Sequence, residues 1–136
     1  MDDKLTLEIV VPQRRLLKEE VDEVSAPGVS GYFGILPGHT PFLSTLEPGE
    51  IYYRVEGERH YLAIGGGYAE AGPEQVTILA ETAEQADEID TERAGQAKER
   101  AEERLRQRDS EEIDQQRAQA ALNRALARLH TADRAR

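Results

Sequence analysis

The chain has 136 residues, a formal net charge of -10, 32% charged residues and no cysteine. That length suits one domain, or one small domain with an appendage. The missing thiols exclude a disulfide framework, a cysteine nucleophile and a cysteine metal site. The acid is unevenly placed: residues 1–88 hold 6 Lys/Arg against 17 Asp/Glu, and residues 89–136 hold 11 against 10. An acidic front half argues against nucleic acid, which calls for a domain-wide basic footprint. Beyond Gln115, Arg117, Arg124, Arg128, Arg134 and Arg136 face the single acid Asp133, a cationic tail suited to an acidic protein surface or a phosphate. Met1-Asp2-Asp3-Lys4 lacks the basic start and apolar run of a signal peptide. Ile9-Val10-Val11-Pro12 falls far short of the roughly 20 apolar residues of a membrane span.

In chain order, Leu5-Thr6-Leu7-Glu8-Ile9 alternates apolar and polar residues, the period of a half-buried strand. Pro12-Gln13-Arg14-Arg15 breaks it, and Leu16-Leu17 begins a second apolar segment. Val21–Ala26 reads as a short strand closed by Pro27-Gly28, and further strands are expected over Tyr32–Leu36, Glu50–Val55, His60–Ile64, Tyr68–Ala71 and Val76–Leu79. Pro37-Gly38, Pro48-Gly49, Glu56-Gly57-Glu58 and Gly72-Pro73-Glu74 between them are turn signals. Short strands at intervals of roughly 8–12 residues imply a sandwich or a flattened barrel.

After Ala86 the composition turns to Ala, Glu, Arg, Gln and Leu, all strong helix formers. Helices are expected over about 90–107 and 111–131, separated by Arg108-Asp109-Ser110, with Asp109 and Glu112 as a capping box for the second. A short link makes an antiparallel helical hairpin the default. The division is 1–86 for the β-rich part and 87–136 for the hairpin. The hairpin repeats itself: Ile89-Asp90-x-x-Arg93-Ala94-x-x-Ala97-x-x-Arg100-Ala101-x-x-Arg104-Leu105 matches Ile113-Asp114-x-x-Arg117-Ala118-x-x-Ala121-x-x-Arg124-Ala125-x-x-Arg128-Leu129. Helical periodicity puts an arginine stripe on each helix beside a narrow alanine seam. Alanine permits close helix approach but buries little area, so the hairpin is expected to be the mobile part.

Candidate chemistry is sparse. Gly65-Gly66-Gly67 lacks the Lys and hydroxyl of a phosphate loop and reads as a strand bend where backbones pack closely. His39, His60 and His130 have no metal-ligand spacing, and none of Ser25, Ser30 and Ser44 lies in a nucleophile elbow. Val29–Leu46 is either an ordinary strand pair or a docking edge on which Tyr32, His39 and Phe42 offer aromatic area to a partner. The arginine stripes have a bland reading as solvated faces paired with Glu99, Glu102 and Glu103. Folding the hairpin about residue 109 instead sets Asp90 level with Arg128 and Ala94 level with Arg124, a cluster of cations with a carboxylate that could hold a nucleotide phosphate.

Four motifs in order, Gly31-Tyr32-Phe33-Gly34-Ile35-Leu36-Pro37-Gly38-His39-Thr40-Pro41, Leu46-x-Pro48-Gly49-Glu50, Gly66-Gly67-Tyr68-Ala69-Glu70 and Ile89-Asp90-x-x-Arg93-Ala94, resemble the epsilon subunit of bacterial F-type ATP synthases nearly end to end. The resemblance implies an α+β fold: an N-terminal flattened β-sandwich of about ten strands followed by the two-helix hairpin. It implies a non-catalytic rotor subunit of a proton-translocating synthase, with the gamma subunit, the c-ring and the catalytic alpha/beta subunits as partners. Gly31, Tyr32, His39, Thr40 and Phe42 would take part in docking to gamma and the c-ring. The location implied is peripheral, on the cytoplasmic face of the bacterial inner membrane, with membrane contact only through the complex. The hairpin would lie compact on the sandwich or extend along gamma, the extended state inhibiting ATP hydrolysis. No cofactor is required. Regulatory ATP would be held in the compact state by Glu84 and Asp90 on the adenine or ribose side and by Arg93, Arg100, Arg124 and Arg128 on the phosphates, with Ile89 and Ala94 completing the motif. A free-standing ATP-sensing module is the alternative. Gly95 inside the first helix is a mild departure from helix-favouring composition.

Overall fold

The first strand, β1 (Leu5–Val11), buries Leu5, Leu7 and Ile9 completely and turns Thr6 and Glu8 outward, as a period of two requires. The computed structural model describes residues 3–107 and 111–134. Seven strands follow: β2 (Arg14–Val21), β3 (Glu23–Gly28), β4 (Gly31–Ile35), β5 (Phe42–Val55), β6 (Glu58–Ala71), β7 (Gln75–Ala80) and β8 (Ala83–Gln85). Their hydrogen bonds run in the order β2-β1-β7-β6-β5-β3-β4, with β8 on β6. All neighbours are antiparallel except β1 and β7. The two faces of the sandwich enclose one core, built around Leu7, Ile9, Val24, Ile35, Ile51, Leu62, Ile64 and Ile78.

Among the described residues there are eight strands where about ten were expected, and the difference lies in β5 and β6. Each is 14 residues long, and their pairing runs from Phe42↔Ala71 to Val55↔Glu58. The Gly67–Ala71 half of β6 lies beside β7, and its Leu62–Ile64 half lies beside β8, so one bent strand serves where two shorter ones were read. Pro48-Gly49 and Pro27-Gly28, read as turns, lie inside β5 and β3. The β3–β5 ladder is irregular between Ser25 and Gly28, and such an irregularity is where a strand tolerates proline's missing N–H. The glycine run is the bend of β6. Gly66 and Gly67 have φ of 110° and 146°, and a Cβ on Gly67 would stand 2.0 Å from the Leu79 carbonyl oxygen.

A 3-10 turn at Ala86–Glu88 leads into α1 (Thr91–Arg106), and α2 is Glu112–Asp133. Asp90 caps α1 by accepting the Arg93 N–H at 3.1 Å, the ordinary use of an aspartate at that position. Arg108-Asp109-Ser110, including the expected Asp109 cap, lies outside the described residues. Here α2 lies on β5 and β6, and α1 packs on α2. The repeat is visible in the burial: Ala94 and Ala101 of α1 and their counterparts Ala118 and Ala125 of α2 are all buried.

Candidate functional site

Where the start of α1, the end of α2 and β8 meet, the structure forms a cleft of about 600 Å³, within the range of small-molecule sites. Each element supplies its part for a local reason. Asp90 stands at the cap, and Arg93, Gln96, Ala97 and Arg100 follow on one face of α1 because residues three and four apart share a helix face. Arg128 comes from the last turns of α2 and Glu84 from the middle of β8. Arg128 Nε donates to Glu84 Oε1 at 2.5 Å, and this ion pair joins hairpin to sheet. The side chains of the pair are about one-third exposed, 29% and 33%. Three guanidinium groups and two carboxylates thus line one opening, with Ala94 in its wall.

Two residues of the expected nucleotide set are not among those that line the cleft. Ile89 is the half-buried residue that ends the 3-10 turn, outside the cleft lining. Arg124 turns to the sheet. Its Cδ comes within 3.3 Å of the space a Gly65 Cβ would take, where Thr82 Oγ1 also crowds in. Gly65 is therefore the gap that lets α2 approach β6. Gln96 and Ala97 are lining residues that sequence reasoning missed, although the spacing from Arg93 to Arg100 on one face was the signal for both.

The docking set divides in two. His39, Thr40 and Phe42 stand together: His39 Nδ1 lies 2.6 Å from the Thr40 carbonyl oxygen, and the rings of His39 and Phe33 meet that of Phe42 edge-on at 5.8 and 5.0 Å. Gly31 has φ of 123° at the turn into β4. Tyr32 reaches instead to β5, where its hydroxyl accepts the Glu50 N–H at 3.1 Å above Gly49. Val29, Leu36 and Leu43, near these residues along the chain, are also exposed, at 62%, 53% and 72%, and exposed apolar side chains of this size suit a contact surface.

A second set of polar contacts, not foreseen from sequence, anchors the far end of α2. Thr131 is fully buried and its hydroxyl donates to Glu50 Oε2 at 3.0 Å. Arg134 donates to Glu50 Oε1 at 3.2 Å and lays its guanidinium 4.7 Å from the centre of the Tyr61 ring. The Glu50 carboxylate raises the pKa of Arg134 above its ordinary value.

Comparison with known proteins agrees with this architecture. Residues 4–86 match the family described as ATP synthase, Delta/Epsilon chain, beta-sandwich domain, and residues 87–133 match its long alpha-helix domain. The chain is 51% identical over 107 residues to an ATP synthase epsilon chain of Nitratidesulfovibrio vulgaris (strain DP4), covering 79% of this chain and 80% of that one. It is 56% identical over 105 residues to the ATP synthase epsilon chain of Syntrophobacter fumaroxidans, covering 77% and 78%. In structure it is similar to a chain in the Euglena gracilis mitochondrial ATP synthase, OSCP/F1/c-ring assembly, with a TM-score of 0.81, 25% identity, and coverage of 95% of this chain and 81% of that one. With both domains matched in order and half the aligned residues identical to epsilon chains, the chain belongs to the ATP synthase Delta/Epsilon family.

Proposed function

We propose that this chain is a non-catalytic central-stalk subunit of a proton-translocating F-type ATP synthase, and that its C-terminal hairpin regulates ATP hydrolysis. The sandwich docks on gamma and the c-ring through Gly31, Tyr32, His39, Thr40 and Phe42. The hairpin leaves the sandwich to extend along gamma toward the alpha/beta subunits, and in that state it inhibits hydrolysis. No helix among the described residues is long and apolar enough to cross a membrane. On this reading membrane contact runs through the complex, at the cytoplasmic face of the bacterial inner membrane.

The observation that carries the regulatory reading is the cleft shared by Glu84, Asp90, Arg93, Arg100 and Arg128. It exists only while α1, α2 and β8 stay together, so a ligand bound there selects the compact hairpin. A ligand shifts such an equilibrium only by its differential affinity for the two states. ATP fits the donor set: three guanidinium groups suit its phosphates, and Glu84 and Asp90 suit the hydroxyl and amino donors of the adenosine. Because one oxygen of Asp90 is committed to the Arg93 N–H, its other oxygen is the one that faces ligand. Arg124, against Gly65, supports α2 from the sheet side.

Two experiments test the reading. Titrating ATP calorimetrically into the full chain and into Arg100→Ala is expected to show binding in the first and about tenfold weaker binding in the second, the scale of one lost charge-assisted contact. Equal heats would remove the arginines from the site. Truncation after Glu88 is expected to leave co-elution with gamma intact while raising ATP hydrolysis by the assembled complex. Unchanged hydrolysis would remove the inhibitory role, and failure of the full chain to co-elute with gamma would leave a free-standing ATP sensor as the better account.

A further inference from the structure

We infer that Glu50 is the clip that holds the hairpin down at its C-terminal end, through Thr131 and Arg134, at a point separate from the nucleotide cleft. This rests on the proposed function in one respect: it takes the hairpin to be detachable. The fully buried apolar residues of α2 are small, Ala118, Ala125, Ala127 and Ala132, while its leucines Leu122, Leu126 and Leu129 are only partly buried, and alanine contributes little burial free energy. Polar contacts therefore carry weight in how firmly α2 sits. Glu50 supplies two of them from one carboxylate whose side chain is only 15% exposed. One partner, Thr131, is entirely buried and would have to be rehydrated on release. The other, Arg134, also covers Tyr61, and Tyr61 stands 5.9 Å from Tyr52, which in turn lies under Arg59.

Glu50 is itself held in place. Tyr32 accepts its backbone N–H, and its strand neighbour Gly49 is packed so closely that a Cβ there would meet Pro27 at 2.8 Å. The carboxylate is thus presented to α2 from a fixed stretch of backbone. The clip adds charge selection as well, because a cationic chain end meets a carboxylate on a strongly acidic sandwich.

The test is amide hydrogen exchange on the ligand-free full chain, comparing α2 with the core strands β1 and β7. Glu50→Ala is expected to speed exchange throughout α2 by about tenfold, the scale of losing a hydrogen bond to a charged group, and to leave β1 and β7 unchanged. Thr131→Val and Arg134→Ala, which alter only the helix side, are expected to act in the same direction. They also decide the matter should Glu50→Ala unfold the sandwich. If neither changes the protection of α2, the clip is overturned. Should α2 in the unaltered chain exchange only together with β1 and β7, the hairpin does not detach by itself, and both the clip and the detachable-hairpin reading fall. Absence of ATP binding would leave this readout untouched.

Discussion

Gly67 and Gly95 show how differently one residue type is constrained. At Gly67 the φ is positive, and the Leu79 carbonyl oxygen lies 2.0 Å from the place a Cβ would take, which leaves no room for one. Gly67→Ala is expected to destabilise the protein by about 2–4 kcal/mol through backbone strain and overpacking. Gly95 is helical, and nothing lies within 4 Å of the place its Cβ would take. Gly95→Ala is therefore expected to stabilise α1 by about 0.5–1 kcal/mol. Chemical denaturation followed by circular dichroism would check both. The mild departure read from the sequence at Gly95 is thus a removable cost, whereas the glycine run in β6 is a requirement of the fold. At Arg124 and Arg128, one helical turn apart, the same side chain meets different fates: one lies against Gly65 and Thr82, the other pairs with Glu84 in the cleft.

At the level of elements, the β5–β6 hairpin closes through Glu56 and Gly57, both with positive φ, 51° and 86°. Such a two-residue loop favours glycine or asparagine, and Glu56 is tolerated there with a compensating bond. Its N–H donates to Asp22 Oδ2 at 2.9 Å, at the corner between β2 and β3. Asp22 also pairs with Lys4 and stands 3.8 Å from Arg54. The hydrogen bond from Lys4, then that from the Glu56 N–H, holds the Asp22 carboxyl below its ordinary pKa of 3.8. A carboxyl depressed in the folded state contributes stability above its unfolded pKa, and that contribution is lost as pH falls through the folded value. Asp22→Asn is accordingly expected to be less stable at neutral pH and to lose less on acidification below pH 3.8. Urea melts from about pH 7 to about pH 2 would show the two curves converging. In the helical hairpin the offset-24 repeat has a comparable structural use, since Ala94 and Ala101 and their counterparts Ala118 and Ala125 are all buried.

On the scale of the whole molecule, the contacts described between sandwich and hairpin run through small buried alanines and partly buried leucines, the Arg128–Glu84 pair and the Glu50 contacts at the end of α2. Such a join suits a hairpin that changes place, and the expected rise in hydrolysis after truncation belongs to this scale. The division into β-rich and helical halves, the alternation that buries Leu5, Leu7 and Ile9, the alanine seam and the set of charged residues that line the cleft are all legible in the amino-acid order. These follow from local periodicity and composition, which act over a few residues. Only in the folded chain do β5 and β6 run unbroken through Pro48 and the glycine bend. Folding also brings Arg93, Arg100 and Arg128 to one cleft with Glu84, sets Arg124 against Gly65, and carries Thr131 and Arg134 to Glu50 from more than 80 residues away. The placement of the arginines depends on where α2 settles on β5 and β6, and no spacing along the chain encodes which guanidinium then reaches which carboxylate.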